Sequence, residues 1–170
     1  MFEVIMLLFD ICLFKKSPQD LPYSVWLLRL LIVIDVIVSF LMISLHAGWA
    51  VSLLQAVAGA LLLVGFSWLM LYVARKWGRF YQTASALLGT DAMISFLALP
   101  GMASMSIGVG AWLAFAITIA LMIWHWLVTG YIFRNALEQS WTFSLGLAFL
   151  YILGSYQVMA LLFPEVTGVK

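Results

Sequence analysis

Long apolar runs dominate the chain and alternate with short segments of charged residues, glycine or proline. A helix needs about 20 mostly apolar residues to cross the roughly 30 Å hydrocarbon layer of a bilayer. Five runs meet this requirement, at residues 24–45, 49–73, 82–99, 107–128 and 141–163. The alternating ten-residue segments typical of membrane β-barrels are absent from the sequence. The pattern therefore predicts an all-α fold, a helical bundle of five transmembrane helices within residues 24–170.

The first 14 residues form an apolar segment that is too short to span a bilayer. Glu3 and Asp10 lie seven positions apart, so they share one helical face. A cleavable signal peptide carries its positive charge before the apolar core, whereas here Glu3 comes first and Lys15 and Lys16 follow. We therefore expect residues 1–23 to form an interfacial amphipathic helix, or a half-buried cap, followed by a loop.

Composition narrows the class of protein. Hydrophobic residues make up 66% of the chain and charged residues 9%, against about 45–50% and about 25% in soluble domains. A soluble fold and a disordered chain are excluded, and a net charge of +1 indicates no nucleic-acid partner. The single cysteine, Cys12, excludes an internal disulfide and a multi-cysteine metal site. The expected environment is a lipid bilayer, and the short loops favour a bacterial inner membrane.

Basic residues fall on one side of the predicted spans. With the N-terminus inside, the outer side receives only Lys170. The positive-inside rule then gives an N-in, C-out orientation. Arg29 lies about one turn inside the first span and can extend its side chain to the inner interface. The inner side receives Lys15, Lys16, Arg75, Lys76, Arg79 and Arg134.

Two carboxylates fall inside predicted spans, Asp35 in the first and Asp91 in the third. Each lies about ten residues from the inner end of its span, so at about 1.5 Å per residue both reach mid-membrane. An ionised aspartate there costs roughly 2.5–3.5 kcal/mol, so each must be protonated, paired or hydrated. They either fasten helices together, helped by hydroxyls such as Ser39 and Ser95, or bind protons or cations.

Small residues at three- and four-residue spacing predict where the helices pack. We group Gln55, which belongs to one such stripe, with Asp35 and Asp91 as candidate proton, ion or helix-fastening residues. The stripes are Ser52, Gln55, Ala56, Gly59 and Ala60; Ser85, Gly89 and Ala92; and Gly110, Ala114 and Thr118.

The two histidines do not predict a metal or haem site. His46 lies at the outer end of the first span and His125 close to the inner end of the fourth, so the two cannot share one ion. We expect His125, like Arg29, to line the membrane interface. Esterase, zinc-protease and phosphate-loop motifs are missing from the sequence. We therefore expect no enzyme activity, no metal and no cofactor.

Residues 81–91 have the sequence YQTASALLGTD and are followed by LALP at 97–100. These segments resemble the Yip1-type family of five-helix membrane proteins. Both are similar to the third span of bacterial members, and the layout resembles theirs over 24–163. The Asp-Leu-Tyr-Gly-Pro motif of eukaryotic members is missing, so their GTPase-linked role is not carried over. The resemblance implies a membrane-organising protein that binds partners.

The leading hypothesis is a structural or partner-binding protein, acting as an accessory subunit or membrane organiser. Its partner would be another membrane protein or a second copy of the chain. The alternative is a small proton- or solute-translocating protein that uses Asp35 and Asp91. A lipid-handling role is the third hypothesis.

Overall fold

The computed structural model describes residues 2–106 and 111–164, and within them the chain forms six α-helices joined by short loops. They are α1 (Phe2–Cys12), α2 (Val25–Ile43), α3 (Trp49–Val73), α4 (Phe80–Ser106), α5 (Ala111–Leu137) and α6 (Trp141–Leu162). Helices α2 to α6 are each long and apolar enough to cross a membrane. The all-α prediction is confirmed for the described residues, and the chain is a multi-pass membrane protein.

Hydroxyl side chains fix where two of the spanning helices begin. Ser24 accepts a hydrogen bond from the backbone N–H of Leu27 at the start of α2, and Ser140 does the same for Phe143 at the start of α6. These N–H groups have no partner inside the helix, so a capping oxygen stabilises the first turn. The predicted first, second and fifth spans agree with α2, α3 and α6 to within two residues.

The two middle predictions have wrong boundaries. The third span was expected to end before Pro100, yet α4 continues through this proline to Ser106. Proline lacks the N–H of a regular helix, but membrane helices tolerate it where their neighbours compensate. The fourth span was expected to end at residue 128, yet α5 continues to Leu137. Arg134 occupies its last turn, where a positive charge is favourable for the helix dipole. The predicted start of that span, 107–110, lies outside the described residues.

Helix α4 lies at the centre of the bundle and packs against α2, α3 and α5, while α6 packs on α5 and α3. The apolar core is concentrated in the half that holds the start of α2 and the end of α5. Two predicted stripes are buried, apart from the half-buried Gly59; in the third, Gly110 lies outside the described residues. Large core residues include Leu27, Leu28, Leu31, Leu63, Leu71, Leu87, Leu88, Val128, Ile132 and Phe133.

Helix α1 is docked on α4 and α5 through Leu8, Ile11 and Cys12, which are buried. The indole Nε1 of Trp124 donates to the carbonyl of Cys12 at 3.0 Å. The side chain of Leu8 lies over Gly89, where a Cβ would come within 2.6 Å of Leu8 Cδ2. The segment therefore packs on the bundle, and its position at the membrane interface stays a prediction.

Salt bridges and hydrogen bonds tie together the loops at one end of the bundle. Lys76 Nζ lies 2.6 Å from Glu138 Oε2 and Arg79 Nη2 lies 2.5 Å from Glu138 Oε1. The two basic side chains also donate to carbonyls in the last turn of α5, at Leu137 and Ala136. These cations satisfy carbonyl groups that have no partner within the helix.

Two glutamines extend this network to the loop before α2. Gln82 donates to the carbonyl of Leu21 at 2.7 Å, and Gln19 donates to the carbonyl of Asn135 at 2.8 Å. We call Gln19, Lys76, Arg79, Gln82 and Glu138 the loop clamp. It joins the α1–α2, α3–α4 and α5–α6 connections at the same end of the molecule.

Candidate functional site

Asp35 and Asp91 meet between α2 and α4. Each lies near the middle of its helix, and both residues line the same cavity. The equal distance from the helix ends was evident from the sequence. That the two side chains face each other was not, because spacing along separate helices gives depth but not direction around the helix axis.

The Asp35 carboxyl is buried without a complete set of hydrogen bonds. The residue is 2% exposed, and its Oδ1 atom has no hydrogen-bond partner. The neighbouring hydroxyl of Ser39 was expected to satisfy it but does not. Thr90, beside Asp91, donates instead to backbone carbonyls of its own helix. Because an unsatisfied buried polar atom is costly, this oxygen is a candidate to accept a hydrogen bond from a bound group.

His125 joins the two aspartates from α5. Its Nε2 atom lies 3.1 Å from Asp91 Oδ1, and both side chains are about a quarter exposed, at 27% and 22%. The sequence prediction placed His125 near the inner end of its span, and this position along the helix is wrong; its place at the membrane interface stays a prediction. Because α5 continues to Leu137, His125 lies at the middle of the helix, level with Asp91.

A cavity of about 350 Å³ borders the two carboxyl groups between α2, α3, α4 and α6. Gln55 of α3 lines it and is itself 8% exposed, so the structure brings together Asp35, Asp91 and Gln55. Tyr151 lines the same cavity as both carboxyls. We call this the acidic cavity. Its other polar lining residues are Ser39, Ser155 and Tyr156.

The sequence interpretation missed the contribution of α6. Tyr151 and Ser155 lie four residues apart on one helical face of an otherwise apolar span. Residues at this spacing are neighbours on a helix surface. A polar pair of this kind in the last span was the available signal for a shared cavity.

A second cavity of about 260 Å³ lies on the other side of the cluster, between α2, α4 and α5. His125, Ser95 and Thr118 line it together with three methionines. Asp35, Asp91 and His125, which we call the mid-helix cluster, therefore connect the acidic cavity to this second cavity. Carboxyl and imidazole groups in contact can pass a proton from one to the next.

Arg29 and His46 stay outside this arrangement. Arg29 lies on the exposed surface of α2, and His46 lies in the exposed loop between α2 and α3. Across 2–106 and 111–164, no group of three or more His, Cys, Asp or Glu side chains is placed to hold a metal ion. The chemistry that the described residues support is proton exchange and binding of a solute by polar groups.

Comparison of the chain with models of known protein families, with curated proteins and with solved structures gives no match in any of the three. The geometry of the mid-helix cluster therefore provides the basis for the functional conclusion.

Proposed function

We propose that this membrane protein exchanges protons at the mid-helix cluster and uses that exchange to move a small solute. The supporting observation is the convergence of Asp35, Asp91 and His125 from three helices, at the middle of each, beside a cavity. Ionisable residues at mid-membrane depth are expensive, and they commonly mark proton or ion pathways. The alternative role inferred from the sequence is thus favoured over a purely structural one.

The cluster has the chemistry to hold a variable number of protons. Carboxyl and imidazole side chains can each gain or lose a proton, and the cluster contains two of the first kind and one of the second. His125 sits behind Asp91 and can accept or return a proton at 3.1 Å. A proton arriving at either cavity therefore meets a member of the cluster: Asp35 and Asp91 line the acidic cavity, and His125 lines the second one.

The acidic cavity extends toward one end of the bundle. Its lining runs from Asp35 along α2 to Ile43, the last residue of that helix. The opposite half is filled by apolar side chains such as Leu28 and Phe133. With the N-in orientation that the basic residues favour, and in a bacterial inner membrane, the cavity faces the outer side. Lys170, the outer basic residue in that assignment, lies outside the described residues.

Proton flux into liposomes tests this proposal. We expect the reconstituted protein to change the pH inside liposomes that contain a pH-sensitive dye when a pH gradient is applied together with a panel of small solutes, because coupled proton movement requires the solute. Asp35→Asn and Asp91→Asn should each reduce the rate at least tenfold, because each keeps the shape of the side chain and removes its titration. Glu3→Gln, which neutralises an exposed carboxylate on α1, should leave the rate unchanged. Equal flux in the wild type and both aspartate variants would overturn the proposal.

A partner-binding role remains the second proposal, and the exposure of α6 supports it. Only 6% of the most apolar 18-residue stretch of this helix is buried. Phe149, Leu150 and Leu153 face outward on this helix. The Yip1-type resemblance likewise implies a partner, either another membrane protein or a second copy of the chain. Purification from native membranes in mild detergent, followed by mass spectrometry, should recover a stoichiometric partner; recovery of a lone monomer would contradict this role.

A further inference from the structure

The acidic cavity has an uncompensated acidic lining. Asp35 and Asp91 both border it, and no lysine or arginine is among its lining residues. The basic group in contact with this pair is His125, which lies behind Asp91 and lines the second cavity instead. A ligand that enters this space therefore meets two carboxyls, amide and hydroxyl oxygens, and no fixed positive charge.

One carboxyl oxygen of a lining residue has no hydrogen-bond partner. Asp35 Oδ1 is buried and unbonded, while its residue borders the cavity. An oxygen in this position is satisfied by a proton on the carboxyl or by a ligand that donates a hydrogen bond or carries positive charge. The electrostatics therefore select for a cationic ligand and against an anionic one.

The size of the cavity selects among cations. Its volume of about 350 Å³ is far more than the roughly 30 Å³ that one water molecule occupies in the liquid. It falls at the lower end of the range for small-molecule sites, about 300–1,000 Å³. A single bare metal ion would leave most of this space unfilled, and the described residues provide no metal-ligand group of three or more.

Aromatic rings add a further preference. Tyr151 and Tyr156 of α6 line the cavity together with the two carboxyls. The face of an aromatic ring attracts a positive charge within about 6 Å, and sites for quaternary ammonium ions use this attraction. Carboxyls and tyrosine side chains in one lining match an alkylammonium group.

We propose that the acidic cavity binds a small organic ammonium ion, which competes with protons for Asp35 and Asp91. This inference rests on the proposed function and names its substrate class. The titratable groups that face Asp35 are Asp91 from α4 and Tyr151 and Tyr156 from α6, with His125 from α5 behind Asp91. Helix α3 contributes the neutral Gln55. Protonation of the carboxyls therefore weakens ammonium binding, and a bound ammonium ion displaces a proton.

Calorimetric titration of the whole protein in nanodiscs with choline tests this site. The neutral compound 3,3-dimethylbutan-1-ol has nearly the same shape and serves as the matched probe. We expect choline to bind at alkaline pH, to bind at least tenfold more weakly at mildly acidic pH, and to release protons as it binds. The neutral probe should bind at least tenfold more weakly than choline. Asp35→Asn should lose choline binding, and Glu3→Gln, which neutralises an exposed carboxylate on α1, should keep it.

The possible outcomes separate this inference from the proposed function. Infrared difference spectra across a pH titration report protonated carboxyls directly, and Asp35→Asn should remove one such band. If that band is lost but choline and its neutral counterpart bind equally, the ammonium site is wrong and proton exchange stands. Bound choline can be displaced by sodium chloride or, at equal ionic strength, by further choline chloride. If the two salts displace it equally well, the site is an inorganic cation site and the inference is overturned. If Asp35→Asn leaves the spectrum unchanged, proton exchange itself is contradicted.

Discussion

His125 Nε2 lies 3.1 Å from Asp91 Oδ1 across the contact between α4 and α5. The pair joins two helices that approach closely along much of their length, and it completes the link from Asp35 to the second cavity. Because each member is partly buried, removal of either leaves the other with an unsatisfied polar group.

A double-mutant cycle should therefore detect coupling between these two side chains. We expect His125→Ala and Asp91→Ala each to lower the free energy of unfolding by about 1–3 kcal/mol. The double variant should lose less than the sum, with a coupling energy of about 0.5–3 kcal/mol. Unfolding in mixed micelles of increasing denaturing-detergent content measures this. As a control, His46→Ala combined with Asp91→Ala should be additive, because His46 lies in the exposed loop.

Gly130 permits the close approach of α5 and α6. A Cβ at this position would come within 2.7 Å of Leu145 Cδ2 and 3.4 Å of Leu145 Cα. Gly130→Ala should therefore destabilise the protein by about 1–3 kcal/mol through overpacking. Gly146→Ala is the matched control, because a Cβ there has nothing within 4 Å. In the same detergent unfolding experiment it should be neutral or slightly stabilising, since alanine favours the helix; equal losses for both variants would contradict the packing.

Cys12 should be unreactive while α1 stays docked. The residue is 3% exposed, and burial raises the pKa of its thiol from 9.0 to about 11. At neutral pH this leaves on the order of a hundredfold less thiolate, the reactive form, than for a free cysteine. Maleimide labelling of membranes should be slow for the wild type. It should be faster for Trp124→Phe, which removes the hydrogen bond to the Cys12 carbonyl.

A cysteine one position along the chain provides the comparison. Leu13 is 37% exposed, so Leu13→Cys in a Cys12→Ser background should react at least tenfold faster than Cys12 does. Rapid labelling of wild-type Cys12 would show that α1 leaves the bundle readily.

Glu138 should make stability sensitive to acid. Hydrogen bonds from Lys76 and Arg79 hold the pKa of its carboxyl below the ordinary value of 4.5. A carboxylate with a lowered pKa stabilises the folded state above its unfolded pKa, and this contribution is lost as the pH falls through the folded value. The melting temperature of the wild type should therefore drop below about pH 4.5 relative to that of Glu138→Gln. If the melting temperatures of the two proteins fall in parallel as the pH is lowered, the charge of Glu138 contributes nothing to stability.

The proposed orientation is open to a direct test. In a Cys12→Ser background, His46→Cys should react with a membrane-impermeant maleimide in intact cells, and Arg75→Cys should react only after the membrane is opened. His46 belongs to the α2–α3 loop and Arg75 to the α3–α4 loop, so the two must lie on opposite sides of the membrane. The reverse labelling pattern would place the acidic cavity on the inner side.

The sequence was sufficient to predict the helices and insufficient to predict the site. Apolar runs determine which segments can span a membrane, and α3 therefore has the predicted bounds. Pro100 and Arg134 were expected to separate spans, but α4 continues through Pro100 and α5 continues past Arg134. Because the fourth span was predicted to end too early, His125 was placed near a helix end, and its contact with Asp91 was not predicted. The meeting of Asp35 with Asp91 depends on the rotation of each helix about its axis, which packing decides.

The loop clamp lies at one end of the bundle and the acidic cavity extends toward the other. The α1–α2, α3–α4 and α5–α6 connections are therefore held together at the end away from which the acidic cavity extends. Bending of the helices should then widen the end near Ile43 and the α2–α3 loop, while the apolar half moves little. We therefore expect that loosening the clamp changes both the stability of the protein and the distance to which the ends of α2, α3 and α6 near Ile43 can separate.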